Sequence, residues 1–324
     1  MSYDKLIVAV GCYSQTFGTK GVKEHGYFLK DVGDARKIRN RILNCFETAS
    51  LPTTTEEMKK HLLNFAVVGG GPTGIEWSAE LNDIVREDFK KLYPDLVKYV
   101  KITVYDVAPT VLSMFDEKLS KYAIKQFTRE GIEVKTSHHV EELRRGAPGD
   151  SEDSVHDPAA CYTLKVKEIG EIGVGMCVWS TGLMMNPFVE NQLQGRVSLH
   201  EKTHGILTDD RLRAKDANGK VMENVFAVGD CAVLDGTSYP ATAQVASQKA
   251  SWLAKRLNKG DLEKNGFTYK DLGVMAYIGN WNAILQSSGG DVSGRVAWFI
   301  WRGAYLAKSV SWRNRILIPT YWRV

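Results

Sequence analysis

Apolar and polar stretches follow one another along the middle of the chain in an order that predicts alternating strands and helices. From residue 65 the chain runs through an apolar strand (65–69), a glycine turn, a helix, a second strand (101–106), a helix at 117–130 and a third strand (131–136). Shorter strands follow near 161–168 and 174–179. Strands that alternate with helices in this way are typical of parallel, doubly wound sheets. We therefore expect an α/β fold.

The pattern on either side of this block predicts further elements. Residues 5–11 form an apolar run that ends in glycine, which indicates a buried strand meeting a turn. Residues 28–50 place apolar side chains at helical spacing among charges and predict an amphipathic helix. Residues 144–160 are polar and aperiodic, which is typical of an exposed loop inside a β-hairpin. A strand at 224–230 and a helix at 239–257 complete the prediction.

Composition and charge argue against several classes of protein. Hydrophobic residues make up 44% of the chain and charged residues 25%, which is ordinary for a globular protein, and the net charge of +4 is too small to indicate nucleic-acid binding. The five cysteines form no C-x-x-C pair, which argues against a thiol–disulfide reductase. Neither the histidine spacing nor the acidic loop at 149–157 matches a metal site. No apolar run reaches the roughly 18–20 residues of a membrane-spanning helix.

A glycine turn after the strand at 65–69 carries the clearest chemical signal. Gly69, Gly71 and Gly74 match G-x-G-x-x-G, in which the first glycine permits a tight turn and the second lets the backbone approach a pyrophosphate. The third lets helix and strand pack closely, and the helix N-terminus adds the positive end of its dipole. The alternative is a glycine-rich turn that packs without a ligand. The residues predicted to bind a dinucleotide here are Gly69, Gly70, Gly71, Pro72, Thr73 and Gly74.

Asp106 is the predicted acidic partner of this turn, because it closes the second strand. A carboxylate there can bind both ribose hydroxyls of an adenosine and would repel a 2′-phosphate, which favours NAD(H) over NADP(H). It lies 32 residues after Gly74, where about 20 is usual. We assign the excess to a longer helix and connection. An acid at a strand end that simply faces solvent remains the alternative.

Two other carboxylates are candidates for site chemistry. Gly229 and Asp230 interrupt an apolar strand, where a carboxylate can accept hydrogen bonds from the ribityl or phosphate side of a flavin because glycine lets the backbone approach. Glu76 lies two residues after Gly74 near a helix N-terminus, where the helix dipole alone would stabilise it.

Several motifs taken together resemble one family over nearly the whole chain. These are GGGPTGIEWSAEL, VWSTGLMMNPF with its Thr181 and Gly182, NVFAVGDCA, ATAQVASQ and the aromatic tail from Gly273. They are similar to type II NADH:quinone oxidoreductases, the alternative NADH dehydrogenases of mitochondria and bacteria. The resemblance implies a two-dinucleotide-binding-domain flavoprotein fold of Rossmann-like, doubly wound type, with FAD and NADH as cofactors and ubiquinone as acceptor. It also implies a peripheral position on the mitochondrial inner membrane.

The resemblance also implies roles for single residues. Gln244 and Gln248 lie four apart on one helix face, beside Ala243, and correspond to the segment between the flavin ring and the quinone. Two solvated glutamines on a surface helix are the alternative. Glu76 matches the family's acid near the nicotinamide and the flavin, and Gly11 ends a strand of the FAD-binding part.

The sequence contains no second G-x-G-x-x-G, so we expect residues 1–58 to be the remnant of the first half of an FAD-binding domain. Residues 59–182 would then form the NADH-binding domain, 183–262 the second half of the FAD-binding domain, and 263–324 a C-terminal region. Two alternatives remain open. One is a non-catalytic NAD(H)-binding fragment without flavin, and the other is a flavoprotein reductase of the ferredoxin or rubredoxin reductase type.

The C-terminal region is rich in aromatic and basic residues, which predicts an amphipathic, membrane-associated segment. A helix that packs on its own core is the alternative, and the aromatics would also suit a homodimer interface. The tryptophans are Trp281, Trp298, Trp301, Trp312 and Trp322, and the basic residues are Arg295, Arg302, Lys308, Arg313, Arg315 and Arg323.

Overall fold

The computed structural model describes residues 3–150, 160–309 and 311–321 of the 324-residue chain. The chain divides into two compact units, each made of two separate stretches. Unit 1 comprises Met1–Gln15 and Gly182–Asp271, and unit 2 comprises Thr16–Thr181 and Leu272–Val324. Trp322 and Arg323 of the predicted tail, and most of the acidic loop at 149–157, lie outside the described residues.

Helices and strands have the following bounds. The α-helices are α1 (Val22–His25), α2 (Val32–Ser50), α3 (Glu56–Leu62), α4 (Pro72–Ile84), α5 (Lys90–Leu92), α6 (Glu117–Glu130), α7 (Ala243–Lys259), α8 (Arg295–Lys308) and α9 (Trp312–Tyr321). The strands are β1 (Leu6–Val8), β2 (Cys12–Ser14), β3 (Tyr27–Phe28), β4 (Asn64–Val68), β5 (Lys101–Tyr105), β6 (Glu133–Lys135), β7 (Val140–Arg145), β8 (Tyr162–Val166), β9 (Gly170–Val174), β10 (Met176–Trp179), β11 (Leu183–Met185), β12 (Ile206–Thr208), β13 (Arg213–Lys215), β14 (Val221–Ala227), β15 (Ala232–Leu234), β16 (Val274–Tyr277), β17 (Ala283–Ser287) and β18 (Gly290–Gly294). One π-helical turn, Val85–Phe89, joins α4 to α5.

A five-stranded parallel sheet in the order β3-β10-β4-β5-β6 forms the centre of unit 2. Its central strands are apolar because the sheet is covered on both faces, and Phe65 to Val68 are all buried. The chain passes from β4 through α4 to β5 on one side, while β10 lies on the other side of β4. The strand order therefore reverses between β4 and β10. In sheets of this kind ligands bind outside the carboxyl ends of the strands at the point of reversal.

The predicted elements around this sheet are present, and the α/β fold is confirmed. Helix α6 has the predicted bounds of 117–130, and it ends where Gly131 adopts a left-handed φ of 84°. The helix predicted at 28–50 begins later, at Val32, because the side chain of Asp31 caps the backbone N–H of Asp34. Strands β7 and β8 form the predicted antiparallel hairpin around the polar loop.

The C-terminal stretch of unit 2 packs against α4. Strands β16, β17 and β18 form an antiparallel sheet, and α8 lies across it. Ala276, Ile284 and Trp298 from this stretch share one hydrophobic core with Phe65 of β4 and Ala79 of α4. The parallel sheet and the C-terminal stretch are therefore parts of a single folded body.

Unit 1 contains a five-stranded mixed sheet in the order β1-β14-β13-β12-β15 and a pair of strands, β2 and β11. The first strand was predicted to be buried, but Leu6 is 39% exposed and Ile7 is 49% exposed, since β1 lies at the edge of its sheet. Helix α7 begins at Ala243 and not at residue 239, because the side chain of Thr242 caps the N–H of Val245.

The two units divide the chain differently from the predicted domains. Residues 16–58 belong with the parallel sheet, because β3 pairs with β10 and α2 packs its buried face into the same core. Residues 263–271 belong with unit 1, where Phe267 is buried among its apolar side chains. Of the predicted C-terminal region, the part from residue 272 onward belongs to unit 2, the unit that contains α4. Among the described helices we find none with the length and hydropathy needed to span a bilayer.

Candidate functional site

The glycine turn between β4 and α4 is packed too closely for side chains at Gly69, Gly70 and Gly74, and the first and last of these belong to the motif. Gly69 has a φ of 112°, its N–H donates to Tyr105 O at 2.8 Å, and an added Cβ would lie 2.7 Å from Ser180 O. A Cβ on Gly74 would overlap the carbonyl oxygen of Gly69. The first and third glycines of the motif therefore permit the tight turn and the close helix–strand packing, as the sequence predicted.

Gly71 differs from these two glycines because it faces open space. A Cβ at this position would contact no atom within 4 Å among the described residues. It is the N-cap of α4, with Pro72 as the first helical residue, and no described side chain caps this helix. Unpaired backbone N–H groups at a helix start are suited to bind a phosphate. The exposed backbone and the uncapped helix start fit the diphosphate of a dinucleotide.

Asp106 lies directly beside this turn. Its Oδ2 accepts a hydrogen bond from Gly70 N at 2.5 Å, and its Oδ1 accepts one from Ala108 N at 2.7 Å. The carboxylate therefore ties the glycine turn to the end of β5. Each oxygen keeps a second acceptor position, so the geometry also permits the predicted contact with ribose hydroxyls.

Glu76 lies on the first turns of α4 and faces the C-terminal stretch of unit 2. Its Oε1 accepts hydrogen bonds from Tyr277 N and from Trp301 Nε1, both at 3.0 Å. Burial raises the pKa of Glu76, and the two hydrogen bonds lower it. Both donors come from residues far along the sequence, so sequence reasoning missed them.

Glu80 and Asp83 continue the same face of α4 at helical spacing from Glu76. Partial burial, together with the like charges of Asp83 and Glu76, raises the pKa of Glu80 to about 7. Asp83 accepts a hydrogen bond from the Tyr277 hydroxyl at 2.5 Å. One face of α4 therefore carries three acidic side chains against the C-terminal stretch. The sequence pattern E-x-x-x-E-x-x-D at 76–83 could have revealed this acidic helix face. It could not have revealed the residues of the C-terminal stretch that contact it.

A cavity of about 580 Å³ in unit 1 contains the second predicted site. Gly229, with a φ of 79°, and Asp230 line it together with the start of α7. The Asp230 carboxylate accepts a hydrogen bond from Cys12 Sγ at 3.2 Å. Gly11 precedes Cys12 in the turn between β1 and β2, and of these three predicted residues Gly229 and Asp230 line the cavity while Gly11 does not.

The fit of this cavity to a flavin is partial. A carboxylate, a glycine of left-handed φ and a helix start suit the ribityl and ring portions. Within the described residues of unit 1, no G-x-G-x-x-G turn leads from a strand into an α-helix to receive the diphosphate portion. The one G-x-G-x-x-G of the sequence lies in unit 2.

The predicted glutamines lie on α7 but face away from this cavity. Gln244 Oε1 accepts a hydrogen bond from the Tyr269 hydroxyl at 2.8 Å. Gln248 exchanges two hydrogen bonds with the backbone of Lys270, at 2.8 and 3.0 Å. Both side chains thus lie on one helix face, where they hold residues 269–270. Ala243 is the first helical residue and is exposed.

Thr181 and Gly182, the last of the predicted site residues, lie where the chain passes from one unit to the other. Thr181 ends the first stretch of unit 2, and Gly182, with a φ of 53°, begins the second stretch of unit 1. All five cysteines lie among the described residues, and none forms a disulfide. Across the described part of the chain, no cluster of three or more metal-ligating side chains occurs.

A matched pair of alanine substitutions separates the two kinds of glycine in the turn. We expect Gly71→Ala to leave the free energy of unfolding nearly unchanged and to weaken NADH binding about tenfold, because the methyl group would stand between the backbone and a diphosphate. We expect Gly74→Ala to destabilise the fold by about 1–3 kcal/mol through overpacking. Urea unfolding and NADH fluorescence titration measure the two effects. Equal loss of stability in both variants would contradict this assignment.

Comparison with known proteins identifies two family models that match successive parts of the chain. A family model for pyridine nucleotide-disulphide oxidoreductases matches residues 1–250, and a model for the NDH2 C-terminal domain matches residues 272–323. The chain is 41% identical over 330 residues to a probable NADH dehydrogenase of Dictyostelium discoideum, with 99% of this chain and 67% of that protein covered. It is 34% identical over 358 residues to the mitochondrial external NADH-ubiquinone oxidoreductase 2 of Saccharomyces cerevisiae, with 99% of this chain and 62% of that protein covered.

A solved structure shows the same fold. The NDH2 of Plasmodium falciparum, solved in complex with NADH, superimposes with a TM-score of 0.83 at 24% identity, over 98% of this chain and 76% of that one. The match of sequence families and the likeness of fold cover nearly all of the chain. The chain therefore belongs to the type II NADH dehydrogenases, within the pyridine nucleotide-disulphide oxidoreductase family.

Proposed function

We propose that this chain oxidises NADH and passes the electrons to ubiquinone, with FAD and NADH as its cofactors. The observation that carries the proposal is the open backbone at Gly71, at the start of an uncapped helix and beside Asp106. In the reaction NADH gives up a hydride, and with one proton the quinone becomes a quinol, so two electrons and two protons balance. The mitochondrial relative from Saccharomyces cerevisiae is named as an NADH-ubiquinone oxidoreductase, which supports this reaction.

The NADH side of the reaction rests on residues of unit 2. The N–H groups at the start of α4 would bind the diphosphate, because the helix dipole and the open backbone favour an anion there. Asp106 would bind the adenosine ribose while it holds Gly70 N. Glu76, two residues beyond the motif on α4, would be the acid near the nicotinamide.

The flavin side of the reaction rests on residues of unit 1. FAD, when bound, would accept the hydride and release two electrons to the quinone. Asp230 and Gly229 would hold its ribityl portion, and the start of α7 at Ala243 would stabilise negative charge on its ring. Gln244 and Gln248 would set the position of α7 through Tyr269 and Lys270. Because the sequence contains no C-x-x-C pair to act as a redox disulfide, ubiquinone would be the electron acceptor.

The direct test is a reductase assay on the purified chain after incubation with FAD. We expect a flavin absorbance spectrum and oxidation of one NADH for each short-chain ubiquinone reduced. Gly71→Ala should lower kcat/KM for NADH about tenfold, because its methyl group weakens the same complex. A folded chain that binds NADH but neither retains flavin nor reduces quinone would overturn the proposal and support a non-catalytic NAD(H)-binding protein.

The choice between NADH and NADPH tests Asp106. We expect Asp106→Asn to lower the ratio of kcat/KM for NADH over NADPH by about tenfold, since it removes the charge that repels a 2′-phosphate. Asparagine keeps one acceptor oxygen, for Gly70 N, and loses the acceptor for Ala108 N, so urea unfolding of the variant checks that the turn persists. Glu133→Gln removes an exposed acid from the neighbouring strand and serves as the control. An unchanged ratio in the Asp106 variant would show that this carboxylate only ties the turn.

We further propose a position at the mitochondrial inner-membrane surface, with the C-terminal helices as the contact. Helix α8 buries Ala297 and Trp298 and leaves Phe299 67% exposed. Trp312 and Ile316 of α9 are also exposed. Basic side chains lie among these apolar ones, a composition that suits the headgroup region of an anionic membrane. The mitochondrial relatives support this location.

Vesicle co-sedimentation tests the membrane contact. We expect Phe299→Glu to weaken binding to vesicles that contain phosphatidylglycerol by about tenfold or more, because an exposed phenyl ring gains about 1.5–3 kcal/mol on burial. Val32→Glu alters an equally exposed residue, 71% exposed at the start of α2, and should have no effect. If Phe299→Glu instead dissociates a dimer and leaves vesicle binding intact, this face is the homodimer interface.

A further inference from the structure

The C-terminal stretch of unit 2 supplies both hydrogen-bond donors to Glu76. Tyr277 N and Trp301 Nε1 each donate to Oε1 at 3.0 Å, from positions 201 and 225 residues further along the chain. Among the described residues, no hydrogen bond reaches the other carboxylate oxygen, Oε2. The C-terminal stretch therefore fixes one oxygen and leaves the second available.

Ring contacts hold the indole of Trp301 in place. It stacks on the Tyr277 ring with centroids 5.3 Å apart, and it lies 4.9 Å from the Tyr305 ring. The Tyr277 hydroxyl donates to Asp83, further along α4. Trp301 and Tyr277 thus span α4 from Glu76 to Asp83. The direction of the indole N–H depends on how α8 sits on α4.

The charged and titratable groups around Glu76 come from three elements. Glu80 and Asp83 lie on α4 itself, Arg302 and Tyr305 come from α8, and Tyr277 comes from β16. The like charge of Glu76 raises the pKa of Glu80, and the charge of Arg302 lowers it. Burial raises the pKa of Glu76, and the donors Tyr277 N and Trp301 Nε1 counteract that rise. Loss of the indole donor would raise the pKa further.

Phe299 lies on an exposed face of helix α8, two residues before Trp301. A rigid helix transmits a shift of that face to the indole on its other side. The hydrogen bond to Glu76 is therefore in a position to respond to what α8 contacts.

We propose that Trp301 is a positioning residue for Glu76, through which the seating of α8 sets the orientation and charge of the acid on the dinucleotide-binding helix. The link to catalysis rests on the proposed function, in which Glu76 lies near the nicotinamide. The hydrogen bond between Trp301 and Glu76 does not depend on the proposed function.

A double-mutant cycle of Trp301→Phe and Glu76→Gln tests the link itself. Phenylalanine keeps a ring against Tyr277 but removes both the N–H donor and one ring of the indole, so the pH-dependent part of the effect reports the hydrogen bond and the pH-independent part reports the lost packing. We expect Trp301→Phe to destabilise the chain increasingly as the pH rises, because the acid with the higher pKa costs more to ionise in the folded state. In the Glu76→Gln background the pH dependence of this effect should vanish. A Trp301→Phe effect that is independent of pH, or equal in both backgrounds, would overturn the proposal.

Trp298→Phe is the matched control, since it makes the same change one turn away on α8, in a ring contact with Trp281. It should show no pH-dependent coupling to Glu76, and such coupling would overturn the assignment to Trp301. In the reductase assay we expect Trp301→Phe to move the limb of the pH profile that Glu76 governs upward by about one pH unit, a tenfold change in its acid dissociation constant. If the cycle shows the coupling but this limb does not move, the positioning of Glu76 stands and its proposed role near the nicotinamide fails.

Discussion

The close approach of backbone to backbone at the ends of β4 and β10 is the constraint on which unit 2 depends. Gly69 and Gly74 have no space for a side chain, because the Ser180 backbone and the Gly69 carbonyl occupy it. This contact brings the start of α4 to the point where the strand order reverses, and it leaves Gly71 uncovered. The same two glycines therefore determine where α4 begins and where a diphosphate can approach.

The position of α4 in turn organises the rest of the unit. Its uncapped N-terminus is the proposed dinucleotide site, and one of its sides carries Glu76, Glu80 and Asp83 toward the C-terminal stretch. Glu76 and Asp83 are half-buried on that side, and desolvation raises the pKa of both carboxyl groups. Hydrogen bonds from Tyr277 and Trp301 offset part of the desolvation cost of these carboxylates. Such an arrangement is typical of groups retained for chemistry and not for stability alone.

Local signals in the sequence were enough for the glycine turn, for α6 and for the α/β fold. The turn is encoded within six residues, and α6 ends at a glycine that adopts the left-handed conformation such an end requires. Contacts between distant residues were beyond these signals. Nothing near Glu76 indicates that its partners lie more than 200 residues away, and nothing near residue 16 or 272 marks a change of unit. The bonds of Asp106 to Gly70 and Ala108 were also missed, since spacing alone predicted only a ligand contact.

The discontinuity of unit 2 has a consequence for biosynthesis. Helix α4 leaves the ribosome long before β16 and α8 exist, and at about 5–20 residues per second the delay is on the order of 10–40 seconds. Throughout that interval Ala79 and its apolar neighbours lack their C-terminal covering, and the nascent chain presents a surface suited to chaperones. The emergence of β16 and α8, and not that of the parallel sheet, is the event that completes this body.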